Sequence, residues 1–144
     1  MWILFAIGAS AFWGLSYVIN ERIYTYISVY TALAIHSFIF SIVLFIVAVS
    51  MGTLKPDIAA ISASSKVFWL VSAGLFVFAL AEICIAFSII NKNATLAGLI
   101  EISYPLFIAL FAYILFKENQ LNVGVAIGGA LTMIGIAVIY AYSG

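Results

Sequence analysis

The sequence predicts an all-α integral membrane protein with five transmembrane helices. Three observations carry that reading. Hydrophobic residues make up 67% of the 144, whereas Lys, Arg, Asp and Glu together make up 7%. A soluble domain of this size could not cover itself with water-compatible surface on such a composition. The apolar residues also fall into five runs, each close to the ~20 residues an α-helix needs to cross a bilayer. Finally, the runs are separated by short polar or turn-forming segments, leaving no room for a soluble domain within these residues. The spans are expected at about residues 2–20, 30–50, 67–90, 94–116 and 121–142, as one domain over 1–144.

The first run, 2–20, is closed by Glu21 and Arg22. Ala9-Ser10-Ala11 mimics a signal-peptide cleavage site, but no basic residue precedes the run and Phe12-Trp13 follows the supposed cut, so a retained span is expected. Ser10 and Gly14, four apart, mark a close-packing face, and Trp13 and Tyr17 follow on nearly the same side. Residues 21–29, with Tyr24 and Tyr26, suit a membrane interface. The second run, 30–50, carries His36 about two turns in. Gly52 and Pro56 then signal a turn, and residues 57–66 read as a short amphipathic or irregular connector ending at Lys66. The third run, 67–90, contains Glu82, and Asn91-Lys92-Asn93 is a tight polar turn.

The stretch 94–122 is the one around which the chain is organised. It is long and apolar enough to span, yet it holds Glu101 and Pro105. Ala94, Gly98, Glu101, Pro105, Ala109 and Ala112 recur at steps of three and four, so they share one helical face. Such a seam packs closely on a neighbour while the bulky side meets lipid. Pro105 removes a backbone hydrogen bond and acts as a hinge about one turn after the carboxylate. Lys117-Glu118-Asn119-Gln120 ends the span, and Glu118 reads as an interfacial charge. The fifth run carries Gly124, Gly128, Gly129 and Gly135, with Gly124-x-x-x-Gly128 as a helix-packing motif. The starting Met favours a complete chain.

Five spans put the termini on opposite sides. With the N-terminus cytoplasmic, Lys55, Lys66 and Lys117 lie inside and Arg22 and Lys92 outside. That bias is too small to fix orientation under the positive-inside rule and permits insertion both ways round.

Charge and composition exclude several functions. The net charge is zero, which leaves no electrostatic footprint for nucleic acid. One His and one Cys cannot build a metal cluster, and no cofactor motif or catalytic triad is present; an enzyme is not expected. Cys84 has no partner for an internal disulfide and reads as a small buried hydrophobe.

Glu82 and Glu101 are the informative pair. Lying about ten residues before and nine after the polar turn, both sit roughly 14 Å from it along antiparallel helices, at a rise of about 1.5 Å per residue. A charged residue at membrane centre costs about 2.5–3.5 kcal/mol on insertion scales, so two acids in one hairpin call for an explanation. Burial penalises the charged form of a carboxyl, and a nearby like charge does so further, so a close pair would share one proton. Such a site can be occupied by proton or substrate, one displacing the other. The plainer reading is a protonated Glu hydrogen-bonded to a neighbouring helix. Trp13, Tyr17, His36 and Tyr104 are candidates to line a path; each is otherwise a packing residue.

Together these residues resemble one half of the drug/metabolite transporter superfamily, specifically its EamA-type module. The run from Phe12-Trp13-Gly14 to Ile19 resembles that family's Trp-Gly signature. Asn93-Ala94-Thr95 leading to Glu101, Pro105 and Phe116-Lys117-Glu118 resembles its fourth span, and Gly128-Gly129-Ala130-Leu131 with Gly135 its glycine-rich fifth. The resemblance covers essentially the whole chain. It implies one half of an inverted-repeat transporter fold, since typical members have two five-span halves of opposite topology. Two copies in an antiparallel homodimer would rebuild that symmetry. The small multidrug resistance proteins resemble this arrangement with four spans, but their essential glutamate lies in the first span, where this chain has none.

The expectation is therefore a small secondary transporter in a prokaryotic inner (plasma) membrane: a proton-coupled exporter of a small-molecule metabolite or lipophilic compound, acting as a homodimer. Glu101 and Glu82 would couple proton or substrate, Pro105 would be the hinge, and Gly98, Gly124 and Gly128 would pack helices. The rival expectation is a non-transporting membrane subunit, or half of a heteromeric transporter that needs a partner.

Overall fold

A computed structural model describes residues 1–142. They form α1 (Trp2–Ile23), α2 (Val29–Ser50), α3 (Leu54–Ala63), α4 (Ser65–Asn91), α5 (Ala94–Glu101), α6 (Tyr104–Phe111), a π-helical turn at Ala112–Phe116 and α7 (Val123–Tyr142), with no strand among the described residues. Five helical segments are long and apolar enough to cross a membrane: α1, α2, α4, the α5-to-π-turn segment Ala94–Phe116, and α7. The protein is thus an all-α, multi-pass integral membrane protein.

Local chemistry sets the helix ends. Ser28 caps α2 by accepting the Thr31 amide at 3.2 Å. That helix stops in a Schellman motif: Gly52 adopts φ +70°, its amide reaches the Val49 carbonyl at 3.1 Å, and the Thr53 amide reaches Ala48 at 3.1 Å. The short connector expected over 57–66 is a ten-residue helix, α3, that begins earlier, at Leu54, and ends at Ala63. Pro56 does not prevent this, because first-turn amides have no intrahelical acceptor to lose, and Asp57 suits the positive end of the helix dipole. Asn93 caps α5 through the Leu96 amide at 2.8 Å, and Asn122 caps α7 through the Val125 amide at 2.9 Å. Hydroxyls inside the spans bond back to their own helix, as Ser72 does to Phe68 at 2.8 Å and Thr132 to Gly128 at 3.0 Å, which meets their hydrogen-bonding need without water.

The chain divides into two compact units. One joins Met1–Ile19 to the chain from Ser88 onward; the other is Asn20–Phe87. In the first, α7 runs antiparallel beside α5 and α6. Leu106 meets Gly129, while Leu96 and Leu99 share a shallow recess with Ile139 and Tyr142. A Cβ on Gly129 would stand 2.3 Å from Leu106 Cδ2, so with any side chain at 129 the end of that leucine would have to move aside. In the second, Tyr30 at the start of α2 packs edge-on to Phe87 of α4, ring centroids 6.0 Å apart.

The buried side chains are mostly small: Ala94, Ala97, Ala109 and Ala112 in the first unit, Ala32 and Ala86 in the second. Small residues let helix backbones approach where lipid removes the hydrophobic drive for helices to associate. Of the expected seam, Ala94, Ala109 and Ala112 are buried, Gly98 and Glu101 half-buried, and Pro105 exposed. The helix is interrupted at residues 102–103, so the phase that aligned these positions does not carry through to Pro105.

Candidate functional site

The site is built where the fourth membrane segment breaks. A continuous helix would direct the residue-105 amide to the Glu101 carbonyl, but proline has no amide and its ring clashes with that carbonyl. α5 therefore ends at Glu101, and α6 restarts at Tyr104 with Pro105 in its first turn. The junction closes with tighter bonds, Ser103 to the Ile100 carbonyl at 3.2 Å and Leu106 to the Ser103 carbonyl at 3.0 Å. Glu101 is thus the last residue of a half-helix, at its negative end.

Tyr17, from α1, donates its hydroxyl hydrogen to Glu101 Oε2. Tyr17 is the one aromatic side chain buried among the described residues, at 8% exposure. Its ring also packs against Trp13, centroids 5.7 Å apart and planes tilted by 52°. The 3.6-residue period places Trp13 and Tyr17 on one face of α1. Gly98, one turn before Glu101, lies beneath the Tyr17 ring. The structure therefore gathers Trp13, Tyr17, Gly98 and Glu101 into one place. Tyr104 and Pro105 stand just beyond the break, both exposed.

The other candidates fall on other elements. Glu82 sits half-buried in the unbroken α4. It acts on Tyr24, in the turn after α1: burial, and then the negative charge of Glu82, push the Tyr24 phenol above its ordinary value of 10.0. His36 lies on an exposed stretch of α2. Gly124 faces the side chain of the cap residue, Asn122 Oδ1 standing 3.2 Å from where a Cβ would be, and Gly128 meets nothing within 4 Å. Glu118 lies exposed in the segment after the π-turn, hydrogen-bonded to Gln120 at 3.4 Å.

Two features escaped the sequence reading. Gly129 makes the close α6–α7 approach, one residue past the Gly-x-x-x-Gly motif; the Gly128-Gly129 pair was the available signal, but the motif alone does not say which glycine faces inward. Tyr24 as the neighbour of Glu82 left no signal, because that contact exists only in three dimensions.

Chemically, a carboxylate with one phenolic donor at a helix break can exchange a proton or bind a ligand's hydrogen-bond donor. Among the described residues no group of three His, Cys, Asp or Glu side chains is placed to hold a metal ion.

Neither a curated protein nor a solved structure matches the chain significantly. One family model does, over residues 1–141, and it describes transporters of drug/metabolite type. With four membrane segments and all but the last residue of the fifth inside that match, the chain belongs to the EamA-like transporter family.

Proposed function

We propose that this protein is a proton-coupled exporter of a small metabolite or lipophilic compound, working as a homodimer in a prokaryotic inner membrane. One observation carries the proposal: the Tyr17 hydroxyl bonded to Glu101 at the break of a membrane helix. An ionisable residue inside a span and a discontinuous helix are both recurrent marks of transport sites. Protonation of Glu101 would remove the charge to which Tyr17 donates, and substrate would compete for the same carboxylate. Pro105 provides the hinge, with Trp13 and Tyr104 flanking the path.

The dimer is supported by α7, none of whose residues is buried within the chain. Gly124 and Gly128 would meet a second copy there. An inverted copy would supply the opposite-facing half that a transporter of this kind needs.

The test uses everted membrane vesicles containing the full chain and a panel of amino acids and lipophilic dyes. The wild type is expected to take up at least one of them in proportion to the pH gradient. Glu101→Gln is expected to be made and inserted normally but to show no gradient-driven uptake. Wild-type gradient dependence in Glu101→Gln would remove Glu101 from the mechanism. Orientation is read separately, in Cys84→Ala carrying Asn119→Cys, with an impermeant thiol reagent on intact cells. Labelling of about half the molecules is the mark of dual insertion. All-or-none labelling would replace the antiparallel dimer with a parallel oligomer or a partnered subunit.

A further inference from the structure

Gly98 precedes Glu101 by three residues and shares its face of α5. A Cβ built on Gly98 would stand 3.5 Å from Cδ2 and 3.7 Å from Cε2 of Tyr17. One edge of the ring therefore rests over residue 98, while the hydroxyl at its far end reaches residue 101. Trp13 packs against the same ring. Tyr17 is held between these two neighbours, and its hydroxyl donates to Glu101 Oε2.

We infer that Gly98 is a positioning residue for the Tyr17–Glu101 pair: its missing side chain forms the slot in which the ring lies at the depth where the hydroxyl meets the carboxylate. The functional weight of this inference rests on the coupling role proposed for Glu101. The geometry grades the substitutions. A methyl group at 98 would sit in ordinary van der Waals contact with the ring. A branched or longer side chain adds carbons about 1.5 Å beyond Cβ, well inside the ~3.5–4.0 Å that carbon atoms prefer. The ring would then have to lift away from α5. A hydrogen bond is no longer one by about 3.6 Å, so a shift of about 1 Å suffices to break this one.

The test reads the carboxyl directly and needs no substrate. The purified full chain in detergent is treated with dicyclohexylcarbodiimide, which modifies membrane-embedded carboxyls. The Glu101 and Glu82 peptides are then quantified by mass spectrometry. The Glu101-to-Glu82 ratio is the readout, because general loosening of the protein raises both. Tyr17→Phe is expected to raise the ratio about tenfold, the scale of one hydrogen bond to a charged group. Gly98→Leu is expected to match it, and Gly98→Ala to stay within about twofold of wild type, as ordinary contact allows. Gly98→Val serves if the leucine variant is not monodisperse. Gly98→Leu combined with Tyr17→Phe is expected to add nothing to Tyr17→Phe alone, since both remove one interaction.

A monodisperse Gly98→Val at the wild-type ratio, beside a raised Tyr17→Phe, would overturn the inference. An unchanged Tyr17→Phe would overturn it together with the bond it depends on. If the ratios follow expectation while Glu101→Gln transports normally, Gly98 still positions the pair and only the coupling role fails.

Discussion

Two acids lie within long apolar helices of this chain, and the helices treat them differently. Glu82 sits inside α4, 27 residues without interruption. Glu101 ends α5, eight residues long, and the chain breaks before α6 begins. Both carry the same cost of placing a carboxyl among apolar residues. At Glu82 the regular backbone stays closed around it. At Glu101 a proline four residues on deprives the acid's own carbonyl of its amide, and a phenol from another helix supplies a donor to its side chain. In the proposed site the acid is therefore only one half. The other half is a backbone whose hydrogen bonding has been opened beside it.

The sharpest way to break this comparison is to neutralise each acid in turn. Glu101→Gln is expected to lower gradient-driven uptake by about a hundredfold or more, as loss of an essential proton carrier does. Glu82→Gln is expected to lower it by about tenfold or less and to keep its dependence on the gradient, if that acid assists rather than carries the proton. Reversal of the two, measured in the same vesicles, would move the transport site to α4. The next largest effect is expected from the break itself. Pro105→Ala restores an amide opposite the Glu101 carbonyl and removes the ring clash, so α5 and α6 can join. Uptake is expected to fall about tenfold with no loss of stability, because a first-turn proline makes no backbone bond that alanine would forfeit, and alanine is the better helix former. Hydrogen exchange over residues 102–106 checks the cause. Amides there that exchange as fast as in the wild type would show that the break does not depend on Pro105.

The five spans were legible because bilayer thickness imposes a length, and hydropathy follows it. Helix ends were legible where a single residue dictates them, as Gly52 does for α2 and Asn93 for α5. α3 was less so, since Pro56 marks a turn and a helix's first turn equally well. In the candidate site, Glu101 and Pro105 stood out as polar or helix-breaking residues in an apolar run. Tyr17, one aromatic among 23, was a path-lining candidate on the Trp13 side of the first span, but its partner was not legible. Its bond to Glu101 spans 84 residues of sequence and depends on how α1 is rotated, which hydropathy does not encode when every face of a helix is apolar.

The α6–α7 contact tests whether the half-helix after the break is held by its neighbour. Gly129→Ala places a methyl 2.3 Å from Leu106 Cδ2, so the leucine must change rotamer. Because the clash is with the end of a flexible side chain, the expected cost is near the low end of overpacking, about 1 kcal/mol. Denaturant titration in detergent measures it. Leu106→Ala in the Gly129→Ala background should restore the approach of α7, apart from the loss that Leu106→Ala causes alone. Purely additive effects would show that the two residues do not share a contact.

The smallest effect concerns the Glu82 side of the comparison. The Tyr24 phenol lies above 10.0 first because it is partly buried and second because Glu82 is negative, so the folded protein favours its neutral form. The sign follows from linkage. Since the folded value exceeds the unfolded one, Tyr24 stabilises the fold fully below pH about 10 and loses that contribution as pH rises through the folded value. The tyrosinate absorbance difference between wild type and Tyr24→Phe isolates this titration. Its midpoint is expected above 10.0, and Glu82→Gln should move it back toward 10.0 without reaching it, because burial remains. A midpoint indifferent to Glu82 would mean that the acid does not act on the turn after α1. A midpoint that moves would tie Glu82 electrostatically to the turn after α1, a second role that Glu101, bonded to Tyr17 within its own unit, does not share.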